Sequence, residues 1–218
     1  MTKVAVKTGA VPSSTARRPG RPRQSEAEVQ AVRTRIVAAT AQVFAEHGYH
    51  GLNVALILKR AGVARPTFYR YFHNADEPLQ VLLDESDMAL VDGLQAAIAP
   101  ADSEADMWVS GIDAYLKWAS DRGATLRPLF AELHDPSSPV SAHRMRTLAL
   151  LRAALTARLT GLGRPAPRPI DLDVLLNIFE FVGFRAALAD PDPDDDDAAG
   201  LAWGRATMAR MAMAILGP

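Results

Sequence analysis

The chain has 218 residues, 49% of them hydrophobic and none of them cysteine; it can build a sizeable core but no disulfide, thiolate nucleophile or cysteine-based zinc site. Its net charge of −1 conceals a split, because residues 1–75 carry 12 Lys and Arg against 3 Asp and Glu while residues 76–218 carry 12 against 22. A basic front on an acidic remainder suits a polyanionic partner for the front.

Residues 1–24 are rich in Pro, Gly, Ser, Thr and Arg and lack a periodic apolar face, so a disordered basic arm is expected there. They hold no apolar stretch of signal-peptide length. No run of about 18 apolar residues follows either, and a cytoplasmic protein without membrane association is expected. Order begins at Ser25, where Ser25 and Glu28 have the spacing of a capping box. Val29, Val32, Ile36, Val37, Val43 and Phe44 then recur at helical spacing, and Gly48 is the expected stop. A second helix runs from Asn53 as cap to Ala61, closed by Gly62. A third spans about Arg65 to Phe72, with Pro66 tolerated in its first turn. Two short helices around a glycine turn, behind a longer one, form a helix-turn-helix pattern.

The fourth helix reaches Ile98. Asp76 is the preferred cap, since Asn74 as cap would put Pro78, which has no N–H, at the first ladder bond. Further helices are expected over 102–121, 125–134, 140–162, 171–189 and 199–216, with breakers at Gly123, 135–139, 163–169 and 190–197. The sum is an all-α chain of about nine helices: a helix-turn-helix head over 25–75 and a larger bundle over 76–218.

Of 14 aromatic residues, Phe68, Tyr69, Tyr71 and Phe72 fall within five positions, beside Arg65 and Arg70. Phe68 and Phe72, one helical turn apart, should pack inward against Phe44 and Ile57. Tyr69 and Tyr71 keep hydroxyls able to reach phosphates, and Arg65 and Thr67 suit base edges or phosphate in a major groove. Phe44, Gly48-Tyr49, Ala61-Gly62-Val63, Thr67-Phe68-Tyr69 and Tyr71-Phe72 closely resemble the N-terminal domain of the TetR family of bacterial transcriptional regulators, over roughly residues 30–80. The resemblance implies DNA contacts by Arg65, Pro66, Thr67, Tyr69 and Tyr71, with Arg70 beside them, and a phosphate beside Asn53. Ala64 stands where the family usually has a capping serine, and Ala75 where most members carry a phosphate-binding lysine. His73 is a candidate to supply part of that contact. Arg17–Arg23 resembles the Gly-Arg-Pro core of a minor-groove arm, which makes Arg21 and Arg23 candidates as well; nonspecific phosphate attraction and an inert tail remain open for it.

In the bundle, helix 171–189 carries two apolar stripes. Leu172, Leu175, Leu176, Phe179 and Val182 form one; Val174, Ile178, Phe181 and Leu188 form the other. One stripe suffices for a core-facing helix, so a second partner is implied. Small residues along 199–216 permit close helix approach, and a homodimer through both helices is expected, with Leu175, Phe179, Val182, Ala202, Ala206 and Met213 at the interface. The family resemblance implies the same arrangement, and a pocket in the middle helices. Met88, Met107, Trp108, Tyr115, Trp118 and Phe130 are its candidate lining for a small apolar or amphipathic effector. No catalytic constellation, metal-ligand spacing or cofactor motif is present. The reading is a ligand-responsive dimeric regulator, most simply a repressor on a palindromic double-stranded operator. An architectural DNA-binding protein without a sensed ligand, and a ligand-binding bundle whose head no longer binds an operator, are the alternatives.

Overall fold

The structure, a computed structural model, describes residues 25–188 and 197–217. The expected arm, with Arg21 and Arg23, and the acidic run up to residue 196 lie outside the described residues. Nine α-helices and no strand occur among the described residues: α1 (Glu26–Gly51), α2 (Val54–Ala61), α3 (Arg65–Phe68), α4 (Asp76–Ile98), α5 (Glu104–Asp121), α6 (Leu126–Ala131), α7 (Pro139–Gly161), α8 (Pro169–Ala187) and α9 (Asp197–Leu216). A 3₁₀ turn, Gly123–Thr125, leads into α6. The helix expected over 125–134 is thus a single turn and a half, ending where Glu132 N–H donates back to the Pro128 and Leu129 carbonyls.

Local chemistry accounts for most boundaries. Ser25 accepts from Glu28 N–H while the Glu28 carboxylate returns to Ser25 N–H at 2.8 Å, a complete capping box. Asn53 caps α2 through Leu56 N–H at 3.0 Å, and Gly62 closes it in the left-handed region. Pro139 and Pro169 occupy the first position of their helices, where a missing N–H costs nothing. Two expectations are corrected. Regular α-helix in α3 stops at Phe68, because Arg70 and Tyr71 N–H bond three residues back, to Thr67 and Phe68, and the coil tightens. Asp76 is not the cap of α4. Asn74 Oδ1 accepts from Glu77 N–H at 3.0 Å, and the Glu77 carboxylate takes His73 N–H at 2.8 Å. The helix begins formally at Asp76 because Pro78 cannot donate to the Asn74 carbonyl.

Three apolar clusters organise the chain. The head core joins Ile36, Val37, Ala39 and Val43 of α1 to Ile57, Ala61, Phe68 and Phe72. The body core runs through α4, α5, α7, α8 and α9. Between them Phe44 packs with Leu79, Leu83 and Val140. Phe44 therefore does not meet Phe68 and Phe72 in the head core, as expected from spacing. It belongs to the junction.

That junction has a polar component. Gly48 breaks α1 at φ 65°, ψ −172°. The break turns Tyr49 N–H toward Glu132 at the end of α6, 2.6 Å away. Glu132 is buried, and its other oxygen accepts from Ser138 Oγ at 2.6 Å. His50 meets Asp135 at 2.7 Å on the outside of the same junction. Leaving Glu132 or its donors unpaired would cost about 1–3 kcal/mol.

Gly48 is constrained twice, by its positive φ and by Glu132 Oε1, which lies 2.9 Å from where a Cβ would stand. Gly48→Ala is expected to destabilise the chain by about 1–3 kcal/mol in denaturant unfolding; an unchanged midpoint would show that the junction yields freely. Asp135 has its carboxyl lowered to about 2 by Ser137 and then His50. Its folded-state value lies below the unfolded one, so its stabilisation is present above the usual carboxylate range and fades as pH falls toward 2. Thermal melts of Asp135→Asn and the parent should accordingly differ at neutral pH and converge in acid.

Candidate functional sites: an internal cavity and an exposed head surface

A cavity that opens to solvent lies among α4, α5, α6, α7 and α8. Its walls are overwhelmingly apolar. Leu90 and Leu94 face it from α4, Met107, Trp108 and Ile112 from α5, and Leu151 and Leu155 from α7. Of the residues expected to line a pocket, Met107, Trp108, Tyr115, Trp118 and Phe130 do so. Met88 does not. It is 63% exposed, because Ser86, Asp87 and Leu90 hold the inward phase of α4.

The aromatic residues are held in fixed attitudes. Trp118 donates its indole N–H to the Ser86 carbonyl at 3.0 Å, and Tyr115 stacks on Trp118 with ring centroids 5.8 Å apart. Burial pushes the Tyr115 phenol well above its usual range, so it is a neutral hydroxyl. Its ring rests on Gly183 of α8, where an added Cβ would stand 2.9 Å from the hydroxyl oxygen. Phe130 of α6 stacks face to face with Phe184 of α8, centroids 3.9 Å apart.

One sector of the wall is polar. The Arg144 guanidinium grips Glu180 through Nε and Nη2 at 2.7–3.0 Å and also donates to Asn177 at 2.6 Å. His143, buried, bridges Asp87 at 2.8 Å and Gln80 at 2.7 Å. Thr147 stands one turn further along α7. No motif marks these residues. The available signal is their recurrence at 143, 144 and 147 on the same helical face as Val140, Leu148 and Leu151, where a buried polar side chain calls for a partner in the protein or in a ligand.

In the head, Arg65, Pro66, Tyr69, Arg70 and His73 are exposed, Tyr69 by 45%. Thr67 is half-buried, and Tyr71 packs partly against the head core. Phe68 and Phe72 are fully inside it. The Arg70 guanidinium sits over the Tyr71 ring, 5.8 Å from its centroid. Asn53 is exposed, with both ends of its amide used locally, toward Leu56 N–H and the Gly51 carbonyl. Ala64 provides no side-chain cap for α3. His73 is turned to Glu77, Nδ1 to Oε1 2.9 Å. Exposed Arg60 is bound by the Glu46 carboxylate at 2.6 Å, which leaves Arg65 as the cation leading α3.

The interface residues expected on α8 are corrected. Leu175, Phe179 and Val182 are buried in the body core of the single chain, Leu175 completely, and cannot meet a second one. The other stripe faces out: Ile170, Val174 and Phe181 are exposed, Phe181 by 56%. On α9, Ala202, Ala206 and Met213 are exposed, with Trp203 beside them. Two stripes are visible in the sequence, but not which one the chain itself covers.

Gly183→Ala is expected to drive the Tyr115 ring off α8 toward the cavity. The cost should be about 1–3 kcal/mol, with a change in tryptophan fluorescence through the Tyr115–Trp118 stack. A variant with parental stability and emission would show that this wall is loose.

Residues 36–77 match the family described as "Bacterial regulatory proteins, tetR family". A fatty acid metabolism regulator protein of Bacillus subtilis is 46% identical over 50 residues, 23% of this chain and 26% of that one. The HTH-type transcriptional regulator EthR of Mycobacterium tuberculosis is 31% identical over 116 residues, 51% of this chain and 50% of its own length. The chain thus spans a quarter to a half of the length of these two curated relatives. Among solved structures, the transcriptional regulator FadR of Bacillus subtilis in complex with stearoyl-CoA superposes with a TM-score of 0.67 at 18% identity, covering 84% of this chain and 97% of that one. The family match therefore begins within α1, runs through the helix-turn-helix and ends in the first turn of α4, so residues 36–77 carry the helix-turn-helix segment of the tetR family, and the rest of the chain shares the all-helical fold of the structure it superposes on.

Proposed function

We propose that the protein is a ligand-responsive transcriptional regulator that binds double-stranded DNA as a homodimer. In its simplest form it is a repressor released from a palindromic operator by an apolar or amphipathic effector. One observation carries the reading. Helix α6 and the turn after it supply Leu129, Phe130 and Leu133 to the cavity wall, while Glu132 of the same segment holds the break in α1 through Tyr49 N–H. A ligand that favours one position of α6 thereby favours one position of the head. It acts only through that difference in affinity between the two arrangements.

In this reading residues 25–75 are the DNA-binding unit and 76–218 the ligand-binding and dimerisation unit, with the arm of residues 1–24 and its Arg21 and Arg23 as an accessory DNA contact. Arg65, Pro66, Thr67, Tyr69, Arg70 and Tyr71 present α3 to a major groove, with Asn53 and His73 at its flanks. The dimer forms through the outward stripe of α8 and the Ala202, Ala206 and Met213 face of α9, setting two heads about 34 Å apart. The names of the relatives direct attention to fatty-acyl chains as the effector class. The long leucine- and tryptophan-lined wall suits a chain of that kind.

A gel shift with DNA from upstream of the gene, with and without straight-chain lipids, tests the proposal. Specific binding that the lipid reverses supports it. Lipid-insensitive binding of low specificity favours an architectural role, and absence of binding favours a bundle with a silent head. Arg65→Ala should weaken specific binding by about 1–3 kcal/mol while leaving thermal stability near the parent's.

A further inference from the structure

The polar sector of the cavity has an uneven inventory. Arg144 is the only arginine in the described wall, and its charge is already matched by Glu180 in a two-pronged pair. Asp87 adds a carboxylate facing His143. A ligand carboxylate entering here would meet no cation whose charge is uncommitted, and it would meet two carboxylates. Burying it so would be costly.

Thr147 is different. Its residue is 6% exposed, and its Oγ1 is buried with no hydrogen-bond partner among the described residues. A threonine inside a helix ordinarily turns its hydroxyl back to the carbonyl four residues earlier. Thr40 does so to Ile36 at 2.9 Å, and Thr160 to Thr156 at 2.9 Å. Thr147 does not, and it lines the cavity. Leu151 and Leu155, also on the wall, lie about 6 and 12 Å further along α7. The order along the helix is a neutral hydrogen-bonding group, then an apolar track.

Resting on the reading of the cavity as an effector site, we propose that it selects an uncharged amphiphile. The ligand is an alcohol or ester, with its oxygen at Thr147 Oγ1 and its hydrocarbon chain along Leu151 and Leu155. The free fatty acid anion is discriminated against because Glu180 already neutralises Arg144.

The full chain, titrated by calorimetry and tryptophan fluorescence with decanol, methyl decanoate and decanoate at a pH well above the carboxylate range, tests this. The two neutral ligands should bind about tenfold or more tighter than decanoate. Thr147→Val should erase most of that preference and Thr147→Ser should keep it. Glu180→Gln, which leaves the Arg144 charge unmatched, should raise decanoate affinity by about tenfold. Decanoate binding as tightly as decanol would overturn the selectivity while leaving the effector site standing. Equal affinities across Thr147→Val, Thr147→Ser and the parent would overturn the role of the hydroxyl. Failure of all three ligands to bind would remove the effector site itself, and the inference with it.

Discussion

One carboxylate fixes how the two halves of this molecule meet. Gly48 turns the end of α1 out of helical geometry, and the turn frees an amide that must find an acceptor inside the protein. Glu132 supplies it, and is itself held by Ser138. Phe44, Leu79, Leu83 and Val140 close apolar packing around the same point. The head is therefore anchored to the body through a buried polar contact that tolerates little displacement. An apolar interface can slide by fractions of an ångström with gradual loss, whereas a buried donor that loses its acceptor incurs the full desolvation penalty at once. Such a contact favours two discrete arrangements over a continuum.

The cavity shows the complementary economy of charge. Polar side chains are paired within its wall, Arg144 with Glu180 and Asp87 with His143. Pairing lets polar residues sit beside leucines and tryptophans without drawing the region into water. It also sets the shape of the space. The Arg144–Glu180 pair ties α7 to α8 and the His143 bridge ties α7 to α4, while the end of α6 meets the start of α7 through Glu132 and Ser138. The link of α6 to α8 is the stack of Phe130 on Phe184, which is apolar and can shear.

Much of this was legible in the sequence where the signal is local. Ser25 with Glu28, Asn53, Gly62 and the prolines each act within a few residues, and the helices they bound are in place. The division of the ring cluster also follows from phase alone, with Phe68 and Phe72 inward and Tyr69 outward. Choices that depend on neighbours distant in the chain were not legible. Periodicity gives α8 two apolar stripes, and only the packing of α5, α7 and α9 on it decides that Leu175, Phe179 and Val182 are covered. Met88 looks like Met107 in composition, and only the rotation of α4 separates them. Asn74 was passed over as a cap because Pro78 forbids the ladder bond, although the side-chain bond to Glu77 N–H survives without it. Glu132 and Thr147 carry no motif, since their meaning lies in what surrounds them.

The rings at the edge of the cavity have a thermodynamic consequence. Phe130 lines the cavity and lies 6.4 Å from Phe181, which stands on the outward face of α8. A molecule entering the cavity against Phe130 and a surface covering Phe181 thus act on one set of contacts from opposite sides. Binding events that share contacts share free energy, and the coupling is reciprocal. For a chain that assembles through that face, apparent affinity for the small molecule becomes a function of protein concentration. A single dissociation constant then describes the pair of equilibria only at a stated dilution.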